Sequence, residues 1–120
     1  MLLYARVKNQ EKLNQIAEEY MNKFPGLSSE KYRKVAQYYF QIGRLDESER
    51  ILKEKAIPKD PDNWKDYMSL ASIYEQKKEY AKAVSYLEEV LAEHQNWPAE
   101  VQKTVSDYRD GLASRESQNN

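Results

Sequence analysis

The side chains that could do acid–base or metal chemistry are numerous in this chain, but no known arrangement for such chemistry is present. The 120 residues include 20 Asp and Glu, one His and no Cys. The adjacent carboxylates Glu18–Glu19 and Glu88–Glu89 fall on the polar faces of predicted helices. One histidine without thiolates cannot build a multi-histidine or cysteine metal site. There is also no Ser/His/Asp constellation and no glycine-rich phosphate loop. We therefore expect no catalytic residue, no metal and no cofactor, and a chain that is not an enzyme.

Composition narrows the class of protein further. The formal net charge is −1 and charged residues make up 32% of the chain, while the mean hydropathy is −0.99. A near-neutral chain lacks the excess of basic residues with which proteins grip nucleic-acid phosphates. No apolar run approaches the ~20 residues of a membrane span. We expect one domain without nucleic-acid binding or direct membrane insertion. It is either soluble, and cytoplasmic by default, or a soluble domain of a larger membrane-attached protein. The absence of Cys fits a reducing or an oxidising compartment equally well.

The sequence repeats itself with a period of 35 residues. The segment YRKVAQYY at 32–39 corresponds to YMSLASIY at 67–74, a shift of 67 − 32 = 35. The same shift relates Leu45 to Tyr80, Ser48 to Ala83, and Leu52 to Leu87. A weaker third copy follows at a shift of 34, and it relates Tyr67, Ala71 and Tyr74 to Val101, Val105 and Tyr108. A regular period of this length is typical of helical repeat proteins.

Apolar spacing predicts two helices in each period. Val35, Ala36 and Tyr39 share one helical face. In the second helix, Ser48 precedes Leu52 by one turn, and a small residue there allows two helix axes to approach closely. Gly43 lies between the two helices, where a left-handed C-terminal residue is favoured. The predicted helices cover residues 11–24, 29–42, 46–57, 63–77, 79–94 and 98–112, and Pro25–Gly26 is expected to stop the first one.

These residues resemble the tetratricopeptide repeat, whose pattern is W-x2-L-G-x2-Y, A-x3-F and then P. The first unit matches it with Tyr32-x2-Val35-Ala36-x2-Tyr39, Ser48-x3-Leu52 and Pro61. The second matches it with Tyr67-x2-Leu70-Ala71-x2-Tyr74, Ala83-x3-Leu87 and Pro98. Tyr replaces Trp, Ala replaces Gly, and each Pro falls a little late. The resemblance implies an all-α stack of antiparallel helix pairs, a right-handed solenoid of about six to seven helices.

On this basis we expect a single domain over residues 1–113. It would contain a partial or N-terminal capping repeat at 1–28, repeats at 29–63 and 64–97, and a C-terminal capping helix at 98–113. That last helix would bury Val101, Val105, Tyr108 and Leu112. The polar residues 114–120 are expected to form a disordered tail.

The resemblance also implies a binding site, because in this family the first helices of successive units line a concave groove. The candidate partner-binding residues are Arg33, Lys34, Gln37, Phe40, Gln41, Lys65, Met68, Ser69, Ser72, Gln76 and Lys103. The basic residues favour an acidic protein or peptide segment, or a chain-terminal carboxylate, as the partner. Phe40 and Met68 would be apolar anchors if they face the groove, and core residues if they do not. Some members of the family hold chaperone C-termini with a two-carboxylate clamp, but Gln37, Ser69 and Ala99 stand where that motif has Asn, Asn and Lys.

The sequence thus favours a non-catalytic protein–protein interaction module, and two alternatives remain open. One is a soluble repeat segment of a larger, membrane- or envelope-attached protein that acts as an assembly scaffold. The other is an RNA-binding helical repeat, since Gly43–Ser48 resembles the middle of a pentatricopeptide repeat, although the net charge of −1 opposes it.

The N-terminal region suggests an incomplete repeat. The helix at 11–24 resembles a second helix, with Ile16 and Tyr20 in its small and large positions, and Leu3 and Val7 fall where a preceding first helix would lie. Either the sequence is a segment of a longer protein, or 1–28 is a shortened natural cap. Exposed Leu3 and Val7 would allow homodimerisation through this end.

Overall fold

Six helices follow one another in residues 2–23 and 26–119, which are the residues that the computed structural model describes, with side chains for 11–23 and 26–118. Helix accounts for 83% of the chain, and the described residues form no strand, so the all-helical prediction is confirmed. The helices are α1 (Leu2–Lys23), α2 (Ser29–Gln41), α3 (45–59), α4 (Trp64–Gln76), α5 (Tyr80–Glu93) and α6 (Ala99–Asn119).

Helix α3 is continuous but not uniform. It starts as an α-helix at Leu45–Ile51, widens to a π-helical segment at Leu52–Ala56, and ends with the turn Ile57–Lys59. The backbone N–H of Ile57 donates to the carbonyl of Leu52, five residues back. Pro58 explains the widening, because proline has no N–H to donate and its ring crowds the carbonyl four residues before it.

The ends of the helices are closed by local side-chain and backbone hydrogen bonds. Ser28 caps α2 by accepting from the Lys31 N–H at 3.3 Å, and Asn63 caps α4 by accepting from the Lys65 N–H at 3.1 Å. Gly43 has φ 83° after α2, and Lys78 has φ 62° after α4. Such left-handed residues satisfy the last carbonyls of a helix.

Buried residues recur at equivalent places in the two repeated units. Tyr32, Ala36 and Tyr39 of α2 are buried, as are Tyr67, Ala71 and Tyr74 of α4. The predicted small positions in the second helices are also buried, with Ser48 1% and Ala83 0% exposed. The hydroxyl of Ser48 donates to the Ala36 carbonyl at 2.6 Å, so α3 lies directly against the backbone of α2.

The helices form a flat body of 44 × 38 × 18 Å. Helix α4 is central, because it contacts α2, α3, α5 and α6. Helices α2, α4 and α6 are thus successive neighbours, while α3 and α5 pack beside them. A thickness of 18 Å accommodates two helix layers about 8–10 Å apart.

Both ends differ from the prediction. Residues 2–23 form one unbroken helix instead of the end of one helix followed by another, because residues 8–12 contain no Gly or Pro to break it. The side chains of Leu3 and Val7, and residues Phe24 and Pro25, lie outside the described part of the chain.

At the other end, the expected disordered tail over 114–120 is helical as far as Asn119; residue 120 lies outside the described part. A tertiary contact accounts for the difference. Arg115 pairs with Glu75, and its guanidinium lies over the Tyr80 ring at 5.0 Å from the centroid. These contacts attach the last turns of α6 to the ends of α4 and α5.

Within residues 2–23 and 26–119, none of the helices combines the length and apolar character that crossing a bilayer requires.

Candidate functional site

A pocket of about 220 Å³ lies where α2, α3 and α4 meet. Its wall contains four of the predicted partner-binding residues, namely Gln37, Phe40, Ser69 and Ser72. The remaining lining residues are Ala36, Ser48 and Leu52. The 35-residue period places α2 and α4 side by side, and this juxtaposition brings together residues about 30 positions apart in sequence.

The floor of the pocket is apolar. Leu52 is 1% exposed, and Phe40 is partly buried against the same core. The Ser48 hydroxyl is turned to the Ala36 carbonyl, so it presents little polarity to the pocket. Gln37 is exposed at the edge, where its amide can both donate and accept. The pocket therefore suits an apolar side chain flanked by a backbone that hydrogen-bonds at the rim.

Arg33, predicted as a basic contact for a partner, makes an internal ion pair. Its Nη1 donates to Asp66 Oδ1 at 3.1 Å, and the two side chains are 11% and 0% exposed. The other oxygen, Asp66 Oδ2, has no hydrogen-bond partner among the described residues. Burial raises the pKa of the Asp66 carboxyl, the hydrogen bond and charge of Arg33 oppose that rise, and Asp60 adds to it. This pair joins α2 to α4.

Sequence reasoning missed Asp66. An acidic residue in the first turn of a helix is ordinarily a surface feature that favours the helix dipole. The available signal was its distance of 33 residues from Arg33, close to one repeat period.

The predicted lysines remain at the surface. Lys34 lies 3.6 Å from Glu30, and Lys103 lies 2.9 Å from Asp107. The ammonium group of Lys65 is 5.9 Å from the ring centroid of Trp64. Exposed pairs of this kind contribute little to stability, so each lysine can exchange its present contact for a carboxylate of a partner.

The last three predicted residues differ in exposure. Gln41 and Gln76 are exposed at the C-terminal ends of α2 and α4, whereas Met68 is partly buried and packs against the core. Of the two candidate anchors, Phe40 lines the pocket and Met68 does not.

A polar network adjoins the pocket on the side of α6. The Tyr108 hydroxyl donates to Glu75 Oε1 at 2.6 Å and lies 3.0 Å from the Ser72 hydroxyl. Burial, followed by the hydrogen bond to Glu75, raises the pKa of Tyr108 to about 12. Arg115 pairs with the same carboxylate. Sequence reasoning missed Arg115 because α6 was predicted to end before it.

In the described part of the chain, no group of three or more His, Asp or Glu side chains is placed to hold a metal ion. The chemistry of the pocket is apolar contact supplemented by hydroxyl and amide hydrogen bonds.

Compared with protein-family models, with curated proteins and with solved structures, the chain has no match in any of the three.

Proposed function

We propose that this protein is a non-catalytic interaction module that binds a peptide segment of a partner protein across α2, α4 and α6. The observation that carries the proposal is the pocket formed by Gln37, Phe40, Ser69 and Ser72. Peptide grooves are commonly apolar clefts with a few polar groups that fix the orientation of the bound chain. The pocket would take one apolar side chain of the peptide as an anchor.

The proposal includes a tetratricopeptide-like arrangement of the helices. Two kinds of repetition support it. The buried positions of α2 recur in α4 after 35 residues. The cap at Gly43 recurs at Lys78, again 78 − 43 = 35 residues later. Contacts of α4 with both α2 and α6 fit a stack in which first helices adjoin one another.

Exposed lysines on the three helices support an acidic partner segment, although they do not line the pocket and Lys34 lines the groove between α1 and α2. Lys34, Lys65 and Lys103 are exposed on α2, α4 and α6, respectively. Arg33 does not contribute, since Asp66 holds its guanidinium. We therefore propose a peptide with an apolar anchor and at least one carboxylate beside it.

A displayed peptide library selected against the whole protein would test this function. The decisive variant is Ser69→Phe, which places a ring in the pocket at a partly exposed position. The matched control is Ser85→Phe, the same change at an exposed position of α5. We expect selected peptides to lose at least about tenfold in affinity for Ser69→Phe and to bind Ser85→Phe like the wild type.

Selected sequences should also share an apolar residue with Asp or Glu nearby, and their affinity should fall as salt is added. Equal binding to both variants would place the peptide elsewhere. Failure to select any binder at micromolar affinity would contradict the proposed function.

A further inference from the structure

Helix α1 carries an apolar stripe on its outer face. Leu13 is 43% exposed, Ile16 is 52% exposed and Tyr20 is 40% exposed, and these are the exposed large hydrophobic side chains of the described residues. Their spacing of three and four residues sets them on one face of the helix. We call these three residues the α1 stripe.

The orientation of α1 keeps this stripe outside. On its other face Met21 is buried, Ala17 packs against the core, and Glu18 pairs with Arg50 of α3 at 3.0 Å. Burying the α1 stripe by rotating the helix would break these contacts. A groove of about 370 Å³ continues from Ala17 and Tyr20 to Val35 and Tyr38 of α2, and the exposed Lys31 and Lys34 also line it.

Opposite charges flank the α1 stripe on one side. Lys12 and Glu19 are both exposed and lie seven residues apart, so they point in nearly the same direction two turns apart. Lys12 precedes Ile16 by 16 − 12 = 4 residues, and Glu19 follows it by 19 − 16 = 3. When two copies of α1 run antiparallel about a point between Gln15 and Ile16, Lys12 of each copy comes level with Glu19 of the other.

We propose that two copies of this chain form a twofold symmetric dimer by antiparallel packing of α1 against α1. The three apolar side chains of each copy fill the centre, and two Lys12–Glu19 pairs flank it. The patch is complementary to itself, which is what a twofold interface requires. A parallel pair would instead bring like charges to the same level. The proposal does not depend on peptide binding, because the pocket at Phe40 lies on other helices.

The mixed charge of the flank favours a second copy over a different partner. A purely acidic or purely basic segment would gain from Lys12 or Glu19 and be repelled by the other. A second α1 supplies both signs at matching places and three apolar side chains of its own. The stripe of the second copy also has the same length as that of the first, since each belongs to the same 22-residue helix of its own copy.

Sedimentation equilibrium of the full chain is the first test. We expect a concentration-dependent mass that rises from 14.2 kDa towards twice that value at micromolar to hundred-micromolar protein. Ile16→Asp should weaken self-association at least about thirtyfold, because it places two carboxylates in the centre of the interface. Asn22→Asp, the same charge change at an exposed α1 position away from the stripe, should self-associate like the wild type. Circular dichroism should show unchanged helix content in both.

Charge exchange tests the antiparallel arrangement. Lys12→Glu and Glu19→Lys should each weaken the dimer, and the double variant should restore it, because the pairs are then formed in reverse. The double variant has the net charge of the wild type, so the control is Lys12→Glu combined with Glu88→Lys, at an exposed position of α5. This control also restores the net charge but not the pairs, and it should remain as weak as Lys12→Glu alone.

Cross-linking gives an independent measure, since the chain has no cysteine. In the antiparallel arrangement Ile16 lies beside the twofold axis, so Ile16→Cys should form a disulfide-linked dimer on mild oxidation. Asn22→Cys should not, because the two residues would be about 20 Å apart along the helices. A monomer at all these concentrations, or equal cross-linking of both variants, would overturn the proposal; a monomer would also mean that a different molecule covers the α1 stripe.

Discussion

At the scale of single residues, the Arg33–Asp66 pair is the most consequential contact of the candidate site. It crosses between α2 and α4 at 3.1 Å, and the Asp66 side chain is 0% exposed. The cost of removing both groups from water offsets much of their attraction, so the pair as a whole adds little net stability. Its effect is on specificity, because either group left alone in this place would be a buried, unpaired charge.

The first prediction concerns the cost of leaving one of these two buried charges without the other. Arg33→Met should lower the free energy of unfolding by about 3 kcal/mol, because it leaves an unpaired carboxylate in the interior. The double variant Arg33→Met/Asp66→Leu should lose less than the single variant does. Urea denaturation at neutral pH measures both. A double variant that loses as much as Arg33→Met or more would show that the cost does not come from an unpaired carboxylate.

The same variants should differ in their response to pH. Burial already raises the pKa of Asp66 against the opposition of Arg33, so loss of Arg33 raises it further. A carboxyl with a raised pKa in the folded state destabilises the fold while it is ionised, and this penalty is relieved as the pH falls through the folded-state pKa. The deficit of Arg33→Met relative to wild type should therefore shrink as the pH falls from neutrality. The double variant has no carboxyl there, so its own free energy of unfolding should lack this dependence on pH.

How much of the site could be predicted differs from residue to residue. That Gln37, Phe40, Ser69 and Ser72 lie on one surface could be predicted, because their register in the repeat fixes which face of the helix they occupy. Arg33 has the same register, but its long side chain can reach the interior. Whether it does so depends on Asp66, and a one-helix pattern contains no information about a partner on another helix.

At the scale of elements, two equivalent helix ends use different residues. After α2, the Gly43 N–H donates to the Phe40 carbonyl and the Arg44 N–H to the Tyr39 carbonyl, at 3.1 and 2.8 Å. After α4, the N–H groups of residues 78 and 79 make the same two bonds at 2.9 and 2.8 Å. Gly43 could be predicted as a left-handed residue from its type. Lys78 could not be predicted in this way, because its residue type does not favour φ 62°. The neighbouring helices impose that backbone conformation.

Replacing Lys78 by glycine should therefore stabilise the protein. A side chain makes the left-handed conformation energetically unfavourable. Because Lys78→Gly removes the side chain, it should raise the free energy of unfolding by about 0.5–1 kcal/mol. Lys78→Ala removes the same charge and keeps a Cβ atom, so it should give no such gain. Thermal and urea denaturation measure both variants. A gain in Lys78→Ala as large as in Lys78→Gly would assign the effect to the charge.

The helix boundaries show the same limit of sequence reasoning. The interiors of α2, α4 and α5 were predicted from their apolar spacing. The extension of α6 to Asn119 was not, because residues 114–120 contain no apolar stripe of their own. It is the contact of Arg115 with Glu75 and Tyr80, more than 30 residues away in sequence, that favours helix there.

At the scale of the whole molecule, neighbouring helices provide most of the buried surface. Helix α4 has neighbours on both sides, and its Leu70 and Ala71 are 0% exposed. Helix α1 contributes Met21 to the core and leaves its stripe outside. The all-helical class and the pairing of α2 with α4 could be predicted from the 35-residue period. The docking of α1 could not, because its side chains have no equivalent helix in the described structure to fix their register.

The difference in burial between α4 and α1 predicts that the backbone amides of the two helices exchange hydrogen with solvent at different rates. Amides of residues 70–74 should exchange slowest, through unfolding of the whole domain, because α4 cannot open without exposing four neighbours. Amides of residues 12–20 should exchange at least about a hundredfold faster in the monomer, since α1 opens with the loss of few buried contacts. Measuring Ile16→Asp isolates the monomer, and raising the concentration of the wild type should slow exchange in α1 alone. Uniform exchange along the chain would mean that the six helices unfold as one unit and that α1 is as firmly held as α4.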